Sequence, residues 1–547
     1  MENNYLNLPK VSIITVNFNG KKFLSNLFSS IGNLNYPKDK LNVIMVDNGS
    51  TDDSCNFVEN NFSWVKIIKL QKNTGYAFGN NIGMKNAEGK YIALINNDCI
   101  VDKNWLIEMV KLAEFFENNS KGKLKVGAVC SKVLFYYKYI PVILVVSLFN
   151  SKGDKIKGSA INDIFKYDYQ EENIDISLNY DKKNADKEEI RFKVNKIDIA
   201  SISNIKPQEN SLKFLSGCSC LEKDLNGNYK FNFENYLFLA IPIPDILSDT
   251  VVKLKLNAYV PKIKSQVFSD FYFEIKAYIK DLKNPSNLLE IKVDATFNSN
   301  NSPNHNDNNY IKNSDYSNDS TNFSSLSSGY NYEIKFVLNK ENYKHTVDII
   351  NSCGLEINKS FYARDRGYEC FDLGEFNEAD EVFSPSGSSL LVKKELIDSV
   401  GYFDGDFFTY YEDIDLFWRA RLAGWKTFYS PLSIARHYHC GTSTEWSYKF
   451  TYYVLRNRIL AIFKCGWPLL FIKSYAGFVF SMIKNAIFLF MLIFKGKRLE
   501  NRPDIKARLV LFFEFFYLIP KNFKKRLKIR LNRKVKDSEI KKLTVNF

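Results

Sequence analysis

The patterns that this chain of 547 residues lacks exclude several functions. Its nine cysteines, an odd number, include no C-x-x-C pair, which indicates a reducing compartment. No helix-turn-helix, zinc-finger or RNA-module signature accompanies the formal charge of +14, so we expect no nucleic-acid partner. The first residues, MENNY, lack the basic start and apolar core of a secretory signal. No G-x-G-x-x-G follows the first predicted strand, which excludes the dinucleotide fingerprint.

The size of the chain predicts two to four domains, because 547 residues exceed what one hydrophobic core normally fills. Apolar residues make up 45% of the chain and aromatic residues 15%, which is typical of a globular protein that also touches a membrane. Changes in residue pattern place the boundaries. The predicted domains are 1–135, 136–345, 346–447 and 448–547.

Short apolar runs alternate with helix-period segments in the first and third of these regions. Such runs are too short for helices and are typical of parallel strands that are covered on both faces. We therefore predict an α/β fold with a Rossmann-like, mostly parallel sheet. The predicted strands are 11–16, 41–46, 65–70, 91–95 and 387–392, and the predicted helices of the third region are 394–400 and 414–423.

Residues 136–345 have a different character, because helix-period segments give way to alternating β-branched and aromatic runs. Short strands with regular turn signals predict a large inserted antiparallel β domain that resembles a sandwich. Within it, residues 298–328 are dominated by Asn, Ser and Asp, a composition too polar to bury much surface. We interpret that stretch as a disordered loop.

The region 448–547 is very apolar and ends in a basic tail. Residues 474–494 are long enough to span a bilayer, although Lys484 interrupts them, whereas 509–519 are too short and contain Glu514. The basic tail favours helices that lie in the plane of an anionic membrane surface. A hydrophobic helical subdomain that packs on the rest of the protein, or one true span, remains an alternative.

Three acidic positions stand out as candidate functional residues. Asp47 and Asp98 follow predicted strands, and Glu412 with Asp413 opens a predicted helix. In open α/β sheets ligands bind at the carboxyl ends of strands, and carboxylates there can hold a divalent cation or accept a proton. The alternative is local, since acidic residues also cap turns and offset the dipole at a helix start.

Two of the four histidines, His437 and His439, lie two positions apart and would share one face of a strand. Neutral imidazoles could complete a metal site, and protonated ones could bind diphosphate oxygens. A structural histidine pair is the alternative. Similarly, the segment with Asn73, Gly75 and Asn80 either only starts a helix or approaches a diphosphate with its amides and glycine backbone.

Ordered motifs connect these residues. The first half contains VSIITVNFNG at 11–20, VDNGSTD at 46–52, NTGYAFGNNIG at 73–83 and LINND at 94–98. The second half contains DRG at 365–367, GSSL at 387–390, GYFDGDFFTYYEDID at 401–415 and HYHCGTS at 437–443. In this order they resemble family 2 glycosyltransferases of the GT-A fold, most of all the rhamnosyltransferase-like branch. The resemblance covers about 10–135 and 346–460 and leaves out the β insert.

The resemblance implies an inverting enzyme whose donor is a nucleotide sugar, either dTDP-rhamnose or a UDP-sugar. It implies that residues 1–135 bind the donor, with Asp47 at the nucleotide base and Asp98 at a divalent cation, Mg²⁺ or Mn²⁺. Residues 346–447 would bind the acceptor, with Asp413 as general base beside Glu412, and His437 or His439 would support the metal or the departing diphosphate. The other donor-binding positions that it implies are Thr15, Asn17, Asn19, Asn73, Gly75, Asn80 and Asn97.

Two departures qualify what the resemblance implies. The D-x-D-like element is Asn96-Asn97-Asp98, with a single carboxylate, so metal affinity is expected to be modest. No Q-x-x-R-W element occurs, which favours transfer of one sugar per encounter over polymerisation. We expect a glycan or lipid-linked acceptor of cell-surface polysaccharide synthesis, at the cytoplasmic face of the cell membrane. The alternative is an inactive GT-A protein that binds glycans or acts as a scaffold through its β insert.

Overall fold

The computed structural model divides the chain into two units, Met1–Tyr136 with Ile349–Phe547, and Tyr137–Asp348. His439 and nearly all of the loop expected at 298–328 lie outside the described residues. The residues that the structure describes are 8–120, 123–150, 174–180, 188–202, 213–214, 236–243, 250–259, 271–280, 282, 288–298, 329–339, 341–438, 448–494 and 503–547.

The first part of the first unit alternates strands and helices as its sequence pattern predicts. Helix α1, for example, buries Phe23, Leu24, Leu27, Phe28 and Ile31 on one face, at the spacing of an amphipathic helix. The elements are β1 (Val11–Asn17), α1 (Lys21–Gly32), β2 (Leu41–Asp47), α2 (Ser54–Asn61), β3 (Val65–Lys69), α3 (Gly75–Lys85), β4 (Tyr91–Ile95), β5 (Cys99–Val101), α4 (Trp105–Asn119) and β6 (Lys125–Phe135).

The second unit consists of strands that form two five-stranded antiparallel sheets, β10-β11-β7-β13-β14 and β15-β16-β12-β9-β8. An antiparallel β insert was predicted from alternating residues, and these sheets confirm it. Its strands are β7 (Lys138–Asn150), β8 (Ile174–Tyr180), β9 (Glu188–Ile202), β10 (Lys213–Phe214), β11 (Tyr236–Ile243), β12 (Thr250–Tyr259), β13 (Phe271–Lys280), β14 (Leu288–Ile291), β15 (Val293–Asn298) and β16 (Gly329–Leu338).

After the insert the chain returns to the first unit with short strands and then helices. The elements are β17 (Ile350–Ser352), β18 (Leu355–Asn358), β19 (Ala363–Asp365), β20 (Asp380–Glu381), β21 (Ser389–Lys393), α5 (Lys394–Val400), α6 (Glu412–Leu422), β22 (Trp425–His437), α7 (Tyr448–Cys465), α8 (Pro468–Phe494), α9 (Pro503–Leu531), α10 (Asp537–Lys542) and β23 (Thr544–Val545).

The main sheet of the first unit joins both parts of the chain in the order β20-β22-β6-β21-β4-β1-β2-β3. Strands β3, β2, β1 and β4 are parallel, β21 is antiparallel to both β4 and β6, and β22 is parallel to β6. All five side chains of β4 are buried, as expected of a strand covered on both faces. The predicted α/β fold with a mostly parallel sheet is confirmed.

The C-terminal helices pack on one another and, through α7, on α6, which lies against β22. In α9 the side chains of Leu511, Phe515 and Leu518 join the same core cluster as Leu416 and Phe417 of α6. This packing is what the alternative of a helical subdomain predicts. Among the described residues, no helix combines the length and the apolar character needed to cross a membrane.

Candidate active site

The carboxyl ends of β1, β2 and β4 meet at one edge of the main sheet and place three predicted residues together. Asn17 ends β1 in register with Asp47, which ends β2. Asp98 lies just beyond the end of β4, after Asn96 and Asn97. Parallel strands bring their carboxyl ends to the same edge, which is why residues far apart in the sequence converge here.

A row of hydrogen bonds between side chains joins these strand ends. The fully buried Asn17 donates from Nδ2 to Asp47 Oδ1 at 3.2 Å and to Ser50 Oγ at 3.1 Å. It also accepts a hydrogen bond from Asn97 Nδ2 at 2.9 Å. The backbone N–H of Ser50 donates to the second oxygen of Asp47 at 3.0 Å. Asp47 is therefore held in one orientation by neutral donors.

A cavity of about 560 Å³ opens beside Asp47, and Lys69 and Gln71 of the next strand and its loop also line it. Asn19 lies nearby in the left-handed region, with a φ of 50°, and its Oδ1 accepts from the backbone N–H of Thr51 at 2.8 Å. Thr15 lies deeper in β1, where its buried hydroxyl has no hydrogen-bond partner among the described residues. Of the predicted positions here, Asp47 faces the cavity and Thr15 lies in the core.

The segment that starts α3 is fixed by a buried amide. Asn48 Nδ2 donates to Asn73 Oδ1 and to the carbonyl of Gly75, both at 3.1 Å. Gly75 has a φ of 85° and lies against Phe408, so a side chain there would be strained and would clash. Asn80 donates to the carbonyl of Tyr76 within the helix at 3.0 Å. The structure thus gives Asn73 and Gly75 a shaped turn, and Asn80 an intrahelical bond.

Asp98 is buried and contacts His437, the last residue of β22, with 3.1 Å between Asp98 Oδ1 and Nε2. The other ring nitrogen, Nδ1, lies 2.9 Å from Asn351 Oδ1, an amide oxygen that can only accept, so Nδ1 carries the proton. Burial acts to lower the pKa of His437, but the charge of Asp98 outweighs it and raises that pKa above its ordinary value. Asn351 therefore orients the ring so that Nε2 faces Asp98.

Asp98, Cys99 and His437 form the group of possible metal ligands among the described residues. Burial raises the pKa of the Cys99 thiol well above its ordinary value, and Mg²⁺ or Mn²⁺ prefers oxygen ligands to a thiol. One carboxylate and one imidazole remain as ligand atoms, a set that suits Mg²⁺ or Mn²⁺ with further ligands from a bound substrate and water. The residues present therefore fit the predicted divalent cation, with Asp98 and His437 as its ligands.

Asp413 lies in the first turn of α6, where two backbone N–H groups donate to it. Gly387 donates to Oδ2 at 3.1 Å and Ile414 donates to Oδ1 at 2.7 Å. Burial raises the pKa of Asp413 to about 6, against the action of these two hydrogen bonds. A carboxylate with a pKa near 6 is ionised at neutral pH and is a better proton acceptor than an ordinary aspartate.

Its neighbour Glu412 is more deeply buried, and Oε2 has no hydrogen-bond partner among the described residues. Burial and the negative charge of Asp413 raise the pKa of Glu412 well above its ordinary value. The shift favours the neutral form of Glu412 and leaves the negative charge of the pair on Asp413. Tyr410 and Tyr411, which precede them, both have a φ of 65°, and such strain in non-glycine residues clusters at functional sites.

The loop before β21 connects Asp413 to the metal-ligand group. The backbone N–H of Gly387 donates to Asp413, and the carbonyl of Gly387 accepts a hydrogen bond from Tyr76 Oη at 2.5 Å. The next carbonyl, that of Ser388, accepts a hydrogen bond from the backbone N–H of Asn96 at 3.0 Å. Tyr76 belongs to α3 and Asn96 to the turn that carries Asp98. The backbone groups of Gly387 and Ser388 therefore connect three parts of one site, which are Asp413, the start of α3 and the turn that carries Asp98.

Sequence reasoning missed three residues of this site. Asp365, at the end of β19, raises the pKa of both Asp413 and His437, so its carboxylate lies near both groups. The DRG motif at 365–367 was the signal for it. Asn351 and Cys99 lie beside His437 because of strand pairing, and no local sequence pattern marks them. The pairs are β17 with β6 and β5 with β22. His439, which was predicted beside His437, lies outside the described residues.

Comparison with known proteins agrees with this geometry, since residues 12–123 match the model described as Glycosyl transferase family 2. Residues 12–123 therefore resemble a family 2 glycosyltransferase domain. The match contains the ends of β1, β2 and β4, and so both Asp47 and Asp98 of the candidate site. Asp413 and His437 lie beyond the matched residues, so their predicted roles rest on the second-half motifs and on the geometry of the site.

Named relatives cover only part of the chain. The poly(ribitol-phosphate) beta-N-acetylglucosaminyltransferase TarS of Staphylococcus aureus is 30% identical over 102 residues, which are 18% of each protein. A cholesterol galactosyltransferase of Borreliella burgdorferi is 31% identical over 136 residues, 24% of this chain and 35% of the relative. Among solved structures, a Pyrobaculum calidifontis mannosyltransferase in complex with GDP-Man and Mn²⁺ is 23% identical, covers 23% of this chain and 36% of that one, and has a TM-score of 0.21. The chain thus spans well under half the length of these relatives.

Proposed function

We propose that the protein is an inverting, metal-dependent glycosyltransferase that moves one sugar per encounter from a nucleotide sugar to a hydroxyl of a glycan or lipid-linked acceptor. The observation that carries the proposal is the convergence of Asp47, the Asp98–His437 pair and the Asp413 carboxylate on one site. Each supplies a different requirement of sugar transfer. The donor is a UDP-sugar or dTDP-rhamnose.

Asp47 and the cavity beside it would bind the nucleoside of the donor. The carboxylate accepts hydrogen bonds and cannot donate them, so it selects a base edge with N–H donors. Uracil and thymine both present one N–H between two carbonyls, which suits a single carboxylate acceptor. Asn17 and Ser50 hold this carboxylate in place before the donor arrives, so little ordering cost remains for binding.

Asp98 and His437 would hold the divalent cation, which supplies positive charge to the donor diphosphate when it is bound. The chain contributes the rest of the arrangement. Asn351 Oδ1 lies 2.9 Å from Nδ1 and orients the ring so that Nε2 faces Asp98. Nε2 would give up the proton that Asp98 favours and offer its lone pair to the cation. The positive charge that gathers at this edge favours the departing nucleoside diphosphate over the intact donor.

Asp413 would accept the proton of the acceptor hydroxyl as that oxygen attacks the anomeric carbon and the bond to the diphosphate breaks. One displacement of this kind inverts the anomeric centre, and it needs no covalent nucleophile. The two backbone donors fix the carboxylate, and the neutral Glu412 beside it leaves the negative charge on Asp413.

The names of two relatives bear on the class of acceptor. TarS is named for action on poly(ribitol phosphate), a polymer, and the Borreliella relative for action on cholesterol, a lipid. The missing Q-x-x-R-W element favours single transfer, and we extend the proposal to cell-surface polysaccharide synthesis on this basis. The rhamnosyltransferase-like branch makes dTDP-rhamnose the first donor to compare with UDP-sugars.

The test is nucleoside diphosphate release from a panel of donors by the wild-type protein and Asp413→Asn. Loss of the general base should lower the transfer rate by about 10²–10⁴-fold. Asp398→Asn, the same change at an exposed carboxylate of α5, is the matched control and should leave the rate unchanged. A rate for Asp413→Asn equal to that of the control would remove Asp413 as the base, and no turnover with any donor would contradict the activity.

A further inference from the structure

Among the described side chains of α8 and α9, thirteen large apolar ones are exposed to solvent. Their exposed fractions are high, for example 70% for Phe480, 70% for Phe513 and 80% for Leu531. Exposed apolar patches of this extent mark interaction surfaces in soluble proteins. The set is Leu469, Ile472, Phe480, Ile483 and Ile487 on α8, and Leu509, Val510, Phe513, Phe516, Tyr517, Phe523, Leu527 and Leu531 on α9.

Helical spacing shows that these residues form continuous rows and are not scattered. In α9 a row at spacings of three, four and seven residues begins at Leu509 and ends at Leu531, with Phe513 and Phe516 in it, all exposed. The buried row of the same helix includes Leu511 and lies on the opposite side, against the core. A helix that is apolar on both sides over its first half needs a second partner for its outer face.

Positive charge accompanies the exposed rows. Lysines at 473 and 484 on α8, and at 506, 524 and 528 on α9, are exposed. Lys521 is also exposed, but it pairs with Asp406 at 2.6 Å. The only acidic residues in the sequence of the two helices are Asp504 and Glu514, and Glu514 accepts a hydrogen bond from Tyr452 Oη at 2.5 Å. The apolar face is therefore bordered by cations with almost no anions among them.

We propose that α8 and α9 form a docking surface for an anionic phospholipid membrane, with the exposed apolar rows in the acyl-chain boundary and the lysines at the headgroups. Amphipathic helices with apolar and Lys-rich sides bind such surfaces in the membrane plane. Charge decides against a second copy of this chain, because pairing the face with itself would bring the lysines together. The docking surface is independent of the proposed sugar transfer.

The test is flotation of the full-length protein with vesicles of phosphatidylcholine alone and of phosphatidylcholine mixed with phosphatidylglycerol, without any sugar donor. The wild-type protein should float with the anionic vesicles and much less with the neutral ones. Phe513→Ser with Phe516→Ser should weaken this binding by about tenfold or more. The matched control is Phe115→Ser with Leu432→Ser, two exposed apolar residues on other elements, and it should bind as the wild type.

A second variant tests the charge. Lys524→Gln with Lys528→Gln should weaken binding to the anionic vesicles by about tenfold and leave binding to neutral vesicles unchanged. Sedimentation velocity without lipid completes the experiment. Wild-type protein that fails to bind anionic vesicles would overturn the proposal. So would a dimer that the Phe513/Phe516 variant dissociates, because the face would then belong to a second copy.

Discussion

The donor side and the base side of this active site are held by different kinds of interaction. On the donor side, neutral amides do the positioning, with Asn17 between Asp47 and Asn97, and Asn48 under Gly75. On the base side, the segment before α6 and the helix itself are held by buried ion pairs. The amide hydrogen bonds of the first side join residues within 12–123, whereas the ion pairs of the second side reach the C-terminal helices.

Lys464 of α7 is the centre of the base side. It is 1% exposed and contacts Asp404 and, at 2.6 Å, Asp415 Oδ1. Lys525 of α9 adds contacts of 2.6 Å to Asp404 and 2.8 Å to Asp406. Burial acts to raise the pKa of Asp404, but the charges of Lys464 and Lys525 hold it below its ordinary value. Asp404 is therefore ionised in the folded protein.

This difference indicates that the C-terminal helices help to hold the base side of the candidate site. The loss of one member of a neutral amide network leaves buried donors or acceptors unpaired, at a cost of about 1–3 kcal/mol. A buried charge that loses its partner costs more, about 3–5 kcal/mol, because its desolvation is then uncompensated. The position of Asp413 on α6 should accordingly depend on α7 and α9 more than Asp47 depends on any residue outside its own half.

The largest effect that would test this contrast is the fall in the free energy of unfolding when Lys464 is replaced. Lys464→Met leaves Asp404 and Asp415 buried with reduced compensation, and we expect the free energy of unfolding to fall by about 3–5 kcal/mol. Urea denaturation of the purified protein measures it. Lys111→Met, which removes an exposed lysine paired with Glu108 on α4, is the control and should change stability by less than about 1 kcal/mol. Equal losses in the two variants would abolish the contrast.

A smaller effect is expected on the donor side. Asn17→Ala removes the donor to Asp47 and the acceptor for Asn97, and we expect donor affinity to fall by about tenfold, or about 1.4 kcal/mol. Titration with the nucleotide sugar measures it. Asn42→Ala at the opposite end of β2, where the amide bonds Ser12 Oγ at 3.1 Å, should leave affinity unchanged. If Asn17→Ala binds the donor as tightly as the control, the amide row does not position Asp47.

The smallest expected effect is a twofold fall of turnover at the pH that equals the pKa of the base. Because the pKa of Asp413 is raised to about 6, the fraction of ionised base halves there and the rate should be half-maximal at that pH. Below it the rate should fall about tenfold per pH unit, and above it the rate should level off. The profile of kcat for the wild-type protein measures this. A rate that stays constant down to about pH 4, the ordinary range of aspartate, would show that Asp413 is not the titrating base.

Much of the fold was predictable because it depends on local pattern. The four parallel strands were placed within a residue or two, since buried parallel strands are continuous apolar runs such as the five residues of β4. The places of Asp47, Asp98 and Asp413 in the fold were predictable for a related reason. Each follows a strand or opens a helix, so its place in the fold is fixed by the chain next to it.

The remainder was not predictable because it depends on pairing between distant segments. Lys464 and Asp415 are 49 positions apart, and no periodicity links a lysine in an apolar helix to a carboxylate one element away. The charge count also misled at the C-terminus, where Lys525 pairs with Asp404 and Arg530 with Asp537, so that only part of the basic tail faces outward. Sequence alone counts charges, and only the fold shows which are already neutralised.

The most direct test of the proposed roles is calorimetric titration of the nucleotide sugar in the presence of Mn²⁺ into two variants. Asp413→Asn should bind the donor as tightly as the wild type, because its carboxylate acts on the acceptor. Asp98→Asn should lose both most of its donor affinity and the dependence of that affinity on Mn²⁺. The reverse outcome, with weakened donor binding in Asp413→Asn and normal, Mn²⁺-dependent binding in Asp98→Asn, would contradict the assignment of the two sides.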